Sequence, residues 1–185
     1  NYAVFNHLSK KFEVREVESP IPLLKAVKNP TELEGFRLAC RKDGVALSKF
    51  YYWLENKLSQ QPVTELEAAE QLTRLRSQDK EYVSDSFGCI SAYGPNAALP
   101  HYSATSEQQS EIHPKGLYLV DSGAQYTHGT TDITRTMPLG ELTELEKEDY
   151  TLVLKGMIDL SMLYFPKGSK AVSYTHLRAH ETDSY

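Results

Sequence analysis

The sequence predicts a mixed α/β chain of the α+β kind, with helices first and strands after, and three observations carry that reading. Apolar residues recur at three- and four-residue steps from Leu33 to Leu58, which is the period of one helix face. After Lys80 the texture changes to Ser, Gly, aromatic and β-branched residues, the composition of strands and turns. From Leu142 to Leu163 the helical spacing returns.

Size and charge bound the answer. A chain of 185 residues, 40% hydrophobic, suffices for about one domain with a single core. Its 20 basic and 25 acidic residues give a net charge of -5, which offers no footprint for nucleic acid or for an anionic membrane, so neither is expected as a partner. No apolar run approaches the roughly 20 residues that span a bilayer. The start, Asn1-Tyr2-Ala3-Val4, lacks the regions of a signal peptide. Asn in place of Met leads us to expect that the natural N-terminus lies upstream. Cys40 and Cys89 are too few for a disulfide framework and read as small buried thiols in a reducing compartment. A cytoplasmic location is the expectation.

Residues 1–28 end in Ser19-Pro20-Ile21-Pro22, where two prolines disfavour a regular helix and favour an extended connector; this stretch reads as the tail of a preceding domain. Asn29-Pro30-Thr31-Glu32 supplies an N-cap, a proline at the first helical position and an acidic first turn. The helix so opened runs to about Leu58 despite Gly35 and Gly44, and Pro62 stops it. Thr64-Glu65-Leu66-Glu67 reads as a capping box before a second amphipathic helix. Phe87-Gly88-Cys89-Ile90 is predicted as a strand and Gly94-Pro95-Asn96 as a turn. Leu117 to Val120 and Ile133 to Met137 are strand patterns best joined as an antiparallel hairpin, and Thr143 to Glu146 is a capping box for the last helix.

The tail, residues 169–185, continues no upstream pattern. Its Val172 to Thr182 segment resembles a translated sequencing-adaptor read, which excludes it from fold reasoning. His176, His180 and Glu181 are therefore not taken as a helical metal site.

Asp121 directly follows an apolar strand, where a carboxylate is costly to bury unless a cation or strong donors meet it. With the hairpin centred near Tyr126 and Thr127, Asp132 faces Asp121 across neighbouring strands. Two like charges so placed repel unless one takes up a proton or a multivalent cation lies between them, and hard oxygen donors suit Mn²⁺ or Mg²⁺. From spacing alone the plainer alternative stands beside this one: Asp121 caps Ser122-Gly123, and Asp132 sits in a solvated turn. His101 follows a turn-like approach, where an imidazole can donate to a carbonyl or shuttle a proton, or can be merely structural. His113 and His128 read as solvent-facing. Neither a glycine-rich phosphate loop nor a serine nucleophile elbow occurs.

Three blocks narrow the choice. Tyr93-Gly94-Pro95-Asn96-Ala97-Ala98-Leu99-Pro100-His101-Tyr102, then Leu119-Val120-Asp121-Ser122-Gly123-Ala124-Gln125-Tyr126, then Gly129-Thr130-Thr131-Asp132-Ile133-Thr134-Arg135-Thr136 stand in that order. Together they resemble the Xaa-Pro aminopeptidase (aminopeptidase P) branch of the methionine aminopeptidase and creatinase superfamily, over about residues 15–168. The resemblance implies the N-terminal half of a pita-bread catalytic domain over residues 29–168, with 1–28 as the tail of a preceding creatinase-type domain and linker. It implies two divalent ions, usually Mn²⁺, held by two aspartates, one histidine and two glutamates; by motif position the aspartates are Asp121 and Asp132. His101 matches the histidine that contacts substrate. The substrates implied are peptides with proline at the second position, in a homodimeric parent.

After Phe165-Pro166-Lys167-Gly168 the family's further histidine and two glutamates find no match. This chain alone is therefore expected to be inactive. A catalytically dead pita-bread binding module and a creatinase-like hydrolase of a carbon–nitrogen bond are the competing readings.

Overall fold

A computed structural model describes residues 2–15, 17–166 and 168–170. Its elements, in chain order, are α1 (Tyr2–Leu8), α2 (Ile21–Ala26), α3 (Pro30–Leu58), β1 (Val63–Thr64), α4 (Glu65–Arg76), β2 (Tyr82–Asp85), β3 (Ile90–Tyr93), a 3₁₀ helix (Gly94–Ala98), β4 (Glu111–Ile112), β5 (Leu117–Ser122), β6 (Ala124–Tyr126), β7 (Gly129–Thr130), β8 (Ile133–Pro138) and α5 (Glu144–Met162).

The helix starts follow from their caps. Asn29 accepts from the Glu32 amide at 2.9 Å while the Glu32 carboxylate accepts from the Asn29 amide at 2.8 Å, and Thr143 with Glu146 repeats the arrangement on α5. Thr64 caps α4 by accepting from the Glu67 amide. Each such cap stabilises its helix by about 1 kcal/mol.

Helices α3 and α4 cover one face of the strands. Leu47, Phe50, Leu54 and Leu58 of α3 and Ala68 and Leu72 of α4 pack with Val63, Ile112, Tyr118, Val120 and Leu139 in the main core. Phe50, Leu54, Leu72 and Tyr118 are fully buried, and sealing a large apolar side chain contributes about 1.5–3 kcal/mol. Tyr118 and Val120 point into this core, so the alternation along β5 puts Leu119 and Asp121 on the other, half-covered face.

The strands form three small antiparallel sheets among the described residues, ordered β3-β5-β8, β2-β6-β7 and β1-β4. The β5–β8 ladder, ending at Ser122↔Ile133, keeps its register into the β6–β7 hairpin, where Gln125 faces Thr130 and Tyr126 faces Gly129. One long bent hairpin thus runs from Leu117 to Pro138. Gly35 lets α3 lie against its tip, because a Cβ there would stand 2.3 Å from the His128 carbonyl oxygen.

Several expectations are corrected. The strand placed at Phe87–Ile90 begins only at Ile90, and Phe87, Gly88 and Cys89 form the bend before it. Ser19–Pro22 is not an extended connector: Pro20 is the N-cap and Pro22 lies in the first turn of α2, where no intrahelical N–H donor is needed. Cys40 is exposed on α3 and Cys89 only partly buried. His128 is partly buried rather than solvated, its side chain 20% exposed, while the His113 side chain stays 42% exposed. The hairpin turns at Thr127 and His128, one residue later than expected. Among the described residues no helix is long and apolar enough to cross a membrane. The tail segment from Val172 to Thr182 lies outside the described residues.

Candidate metal centre

Asp121 sits near the end of the central strand β5, paired with Ile90 of β3 and Thr134 of β8. It is half-buried, and its Oδ1 is sealed from solvent with no hydrogen-bond partner among the described residues. An ionised oxygen so placed is costly unless a cation meets it. The hairpin register puts Asp132, an exposed residue between β7 and β8, opposite Gly123. The two aspartates are then two register positions out of step rather than directly opposed, and the ladder is interrupted between them at Gly123 and at Thr131–Asp132.

Gly123 separates the two halves of the ladder and is tightly enclosed. A Cβ there would lie 2.1 Å from the Thr131 carbonyl oxygen and 2.3 Å from Ser86 Oγ. Ser86 Oγ donates to that same carbonyl at 2.9 Å.

Beneath the hairpin lies a buried ion pair. Arg76, the last residue of α4, is 1% exposed and Asp43 of α3 is 0% exposed. Arg76 Nε donates to Asp43 Oδ1 at 2.7 Å and Nη2 to Asp43 Oδ2 at 3.1 Å. The same guanidinium donates to Ser122 Oγ at 3.0 Å and to the Gly123 carbonyl at 3.3 Å. Thr131 Oγ1 donates to Asp43 Oδ2 and accepts from the Ala124 amide.

His101 is exposed, just beyond the 3₁₀ helix that packs on β3 and β5. It makes no hydrogen bond to either aspartate. Its neighbour Tyr102 is buried, and the phenol donates to Glu65 Oε2 at 2.7 Å; burial first, and this bond second, push that phenol up to about 12. Glu65 is fully buried and also accepts from the Tyr93 and Ser110 amides and from Asn96 Nδ2. His128, at the hairpin tip, stacks on Tyr126, with its Nδ1 3.8 Å from Glu81.

The structure therefore puts Asp121 and Asp132 on one face and leaves His101 on a separately held segment. Asp43, Arg76, Thr131 and Glu65 were not foreseen. Asp43 left a trace, a charge on the apolar stripe of α3; Arg76 and Glu65 read as ordinary dipole-complementing residues at helix ends. The donor set fits a hard divalent cation: two carboxylates, one with a sealed, unpartnered oxygen. Among the described residues no third His, Cys, Asp or Glu joins them.

The profile of metallopeptidase family M24 matches residues 34–181, and the chain belongs to that family. The match runs into the stretch expected to be non-native. A Paracoccidioides brasiliensis protein named Probable Xaa-Pro aminopeptidase P is 51% identical over 163 residues, covering 87% of this chain and 26% of its own length. The crystal structure of an X-prolyl aminopeptidase from Caenorhabditis elegans, described as a cytosolic enzyme with a di-nuclear active site, is 38% identical with a TM-score of 0.80, covering 89% of this chain and 27% of its own. The prolidase from Pyrococcus furiosus shares the fold at 24% identity, a TM-score of 0.74, and 98% and 51% coverage. The fold is the expected one, part of a pita-bread domain. The chain spans about a quarter of the length of the curated relative it matches.

Proposed function

We propose that the protein to which this chain belongs is a dinuclear metallo-aminopeptidase that removes the N-terminal residue from peptides with proline second. Asp121 and Asp132 are its ligands in this chain, and Mn²⁺ is the metal that their hard oxygens suit. The observation that carries the reading is the sealed, unpartnered Oδ1 of Asp121 on the same hairpin face as Asp132. When bound, a pair of such ions polarises a scissile carbonyl and acidifies a water enough for it to attack near neutral pH. Asp121 and Asp132 hold the cations' charge. His101, exposed on a segment tied down by Tyr102 and Glu65, donates to a substrate carbonyl oxygen.

The same reading divides the chain into a preceding-domain tail (1–28), the N-terminal half of the catalytic domain (29–168) and a non-native tail (169–185). It places the enzyme in the cytoplasm as a homodimer, and the cytosolic description of the C. elegans relative supports the location. The chain alone, with two of five ligands, is expected to bind Mn²⁺ weakly and to be inactive.

The test is to assay the full-length protein with Mn²⁺ on two peptides that differ only in proline or alanine at the second position. Cleavage restricted to the proline peptide and abolished by chelator is expected. Indifference to the second residue would overturn the specificity; no cleavage of either peptide by metal-loaded protein would favour the binding module, and hydrolysis of creatine the creatinase-like enzyme.

A further inference from the structure

We propose that Asp43 and Arg76 are positioning residues for the two aspartates: one buried ion pair holds both strands of the hairpin at the residues adjoining Asp121 and Asp132. The proposal rests on the metal-ligand reading of those aspartates. On the first strand, Arg76 donates to Ser122 Oγ at 3.0 Å and to the Gly123 carbonyl at 3.3 Å. On the second, Asp43 accepts from Thr131 Oγ1. Ser122 and Thr131 are both buried, at 0% and 2% exposure.

Side chains alternate along a strand, so holding Ser122 inward directs Asp121 to the opposite face. Thr131 held inward does the same for Asp132. A slip of one residue would exchange each aspartate for its neighbour and turn both carboxylates to the core side. The ion pair is placed to forbid that slip, because its two partners come from different helices and each reaches a different strand. Stability alone does not call for it: apolar residues of similar volume commonly hold a buried site as well as an ion pair does. What apolar residues lack is direction, and the pair's five hydrogen bonds to Ser122, Gly123, Thr131 and each other have it.

The experiment measures Mn²⁺ affinity by calorimetry on the metal-free full-length protein, with the melting temperature of each metal-free variant taken in parallel. Arg76→Met combined with Asp43→Leu keeps both sites filled with apolar side chains and removes the directed bonds. It is expected to melt near wild type yet bind Mn²⁺ about 10–100-fold more weakly, the range typical of lost outer partners of metal ligands. Thr131→Val is expected to weaken binding in the same direction, and Thr131→Ser, which keeps the hydroxyl, to restore it; this pair carries the test should the double variant fail to fold. Folded variants with wild-type Mn²⁺ affinity would overturn the positioning role alone. A wild-type protein that binds no Mn²⁺ would overturn the metal reading itself, and the positioning role with it.

Discussion

Gly123 shows how much of the site is decided at single residues. It lies between the two aspartates in register, and the Thr131 carbonyl and Ser86 hydroxyl fill the space where a Cβ would go. Gly123→Ala is therefore expected to push the strands apart and cost about 1–3 kcal/mol, the range for overpacking a filled site, with Mn²⁺ binding weakened as well. Denaturant unfolding of the two proteins reads the first effect, and unchanged stability would contradict the enclosure described. Legibility was uneven at this scale. Asp121 was conspicuous because it ends an apolar strand, but spacing alone left the plainer reading open for it and for Asp132, and only the motif resemblance singled out the pair. Nothing local marked Arg76 or Glu65 as buried, since burial there depends on strands some 30 to 50 positions away. Cys40 is exposed although cysteine is commonly a core residue, while burial pushes the Cys89 thiol up to about 12.

At the scale of elements, α4 carries a burden its sequence hides. Glu65 at its start binds the segment that leads to His101, and Arg76 at its end binds the hairpin that carries Asp121. One 12-residue helix thus sets the distance between the two parts of the site. Capped helices were legible because their signals are local: Asn29 is the N-cap and the Thr143–Glu146 box forms as read, while of the Thr64–Glu67 box the structure shows the threonine's half. Short strands were less so, as Phe87–Cys89 shows, because strand residues are chosen by partners far along the chain. A second tie fixes α3 to the chain before β2. Lys42 Nζ donates to Asp79 at 2.8 Å and pairs with Glu81. The bond from Lys42 holds Asp79 and Glu81 below their ordinary 3.8 and 4.5, and the bond to Asp79 raises Lys42 above 10.5. The carboxylates' contribution is present above their unfolded values and is lost as pH falls through the lower folded ones. That of Lys42 is present below 10.5 and is lost as pH rises through its higher folded value. Lys42→Gln should thus be less stable than wild type from about pH 5 to 10, with the gap closing towards pH 3 on denaturant titration. A gap independent of pH would mean that the tie is not electrostatic.

At the scale of the molecule, the described residues show a domain finished on one side only. Helix α5 buries only Gly156, leaving Val153, Met157, Ile158 and Met162 exposed. An exposed apolar helix face marks an interaction surface, and the chain spans 26% of the length of the Paracoccidioides brasiliensis relative. Both facts agree with the chain being part of a larger pita-bread domain. The most direct measurement is the number of Mn²⁺ ions bound per full-length chain at equilibrium dialysis, for wild type, Asp121→Asn and Asp132→Asn. Two ions for wild type are expected, with affinity reduced by more than about 100-fold in either variant, since a direct ligand should matter more than its outer partners. Two ions held as tightly by both variants would contradict the assignment of this hairpin as a metal-binding element.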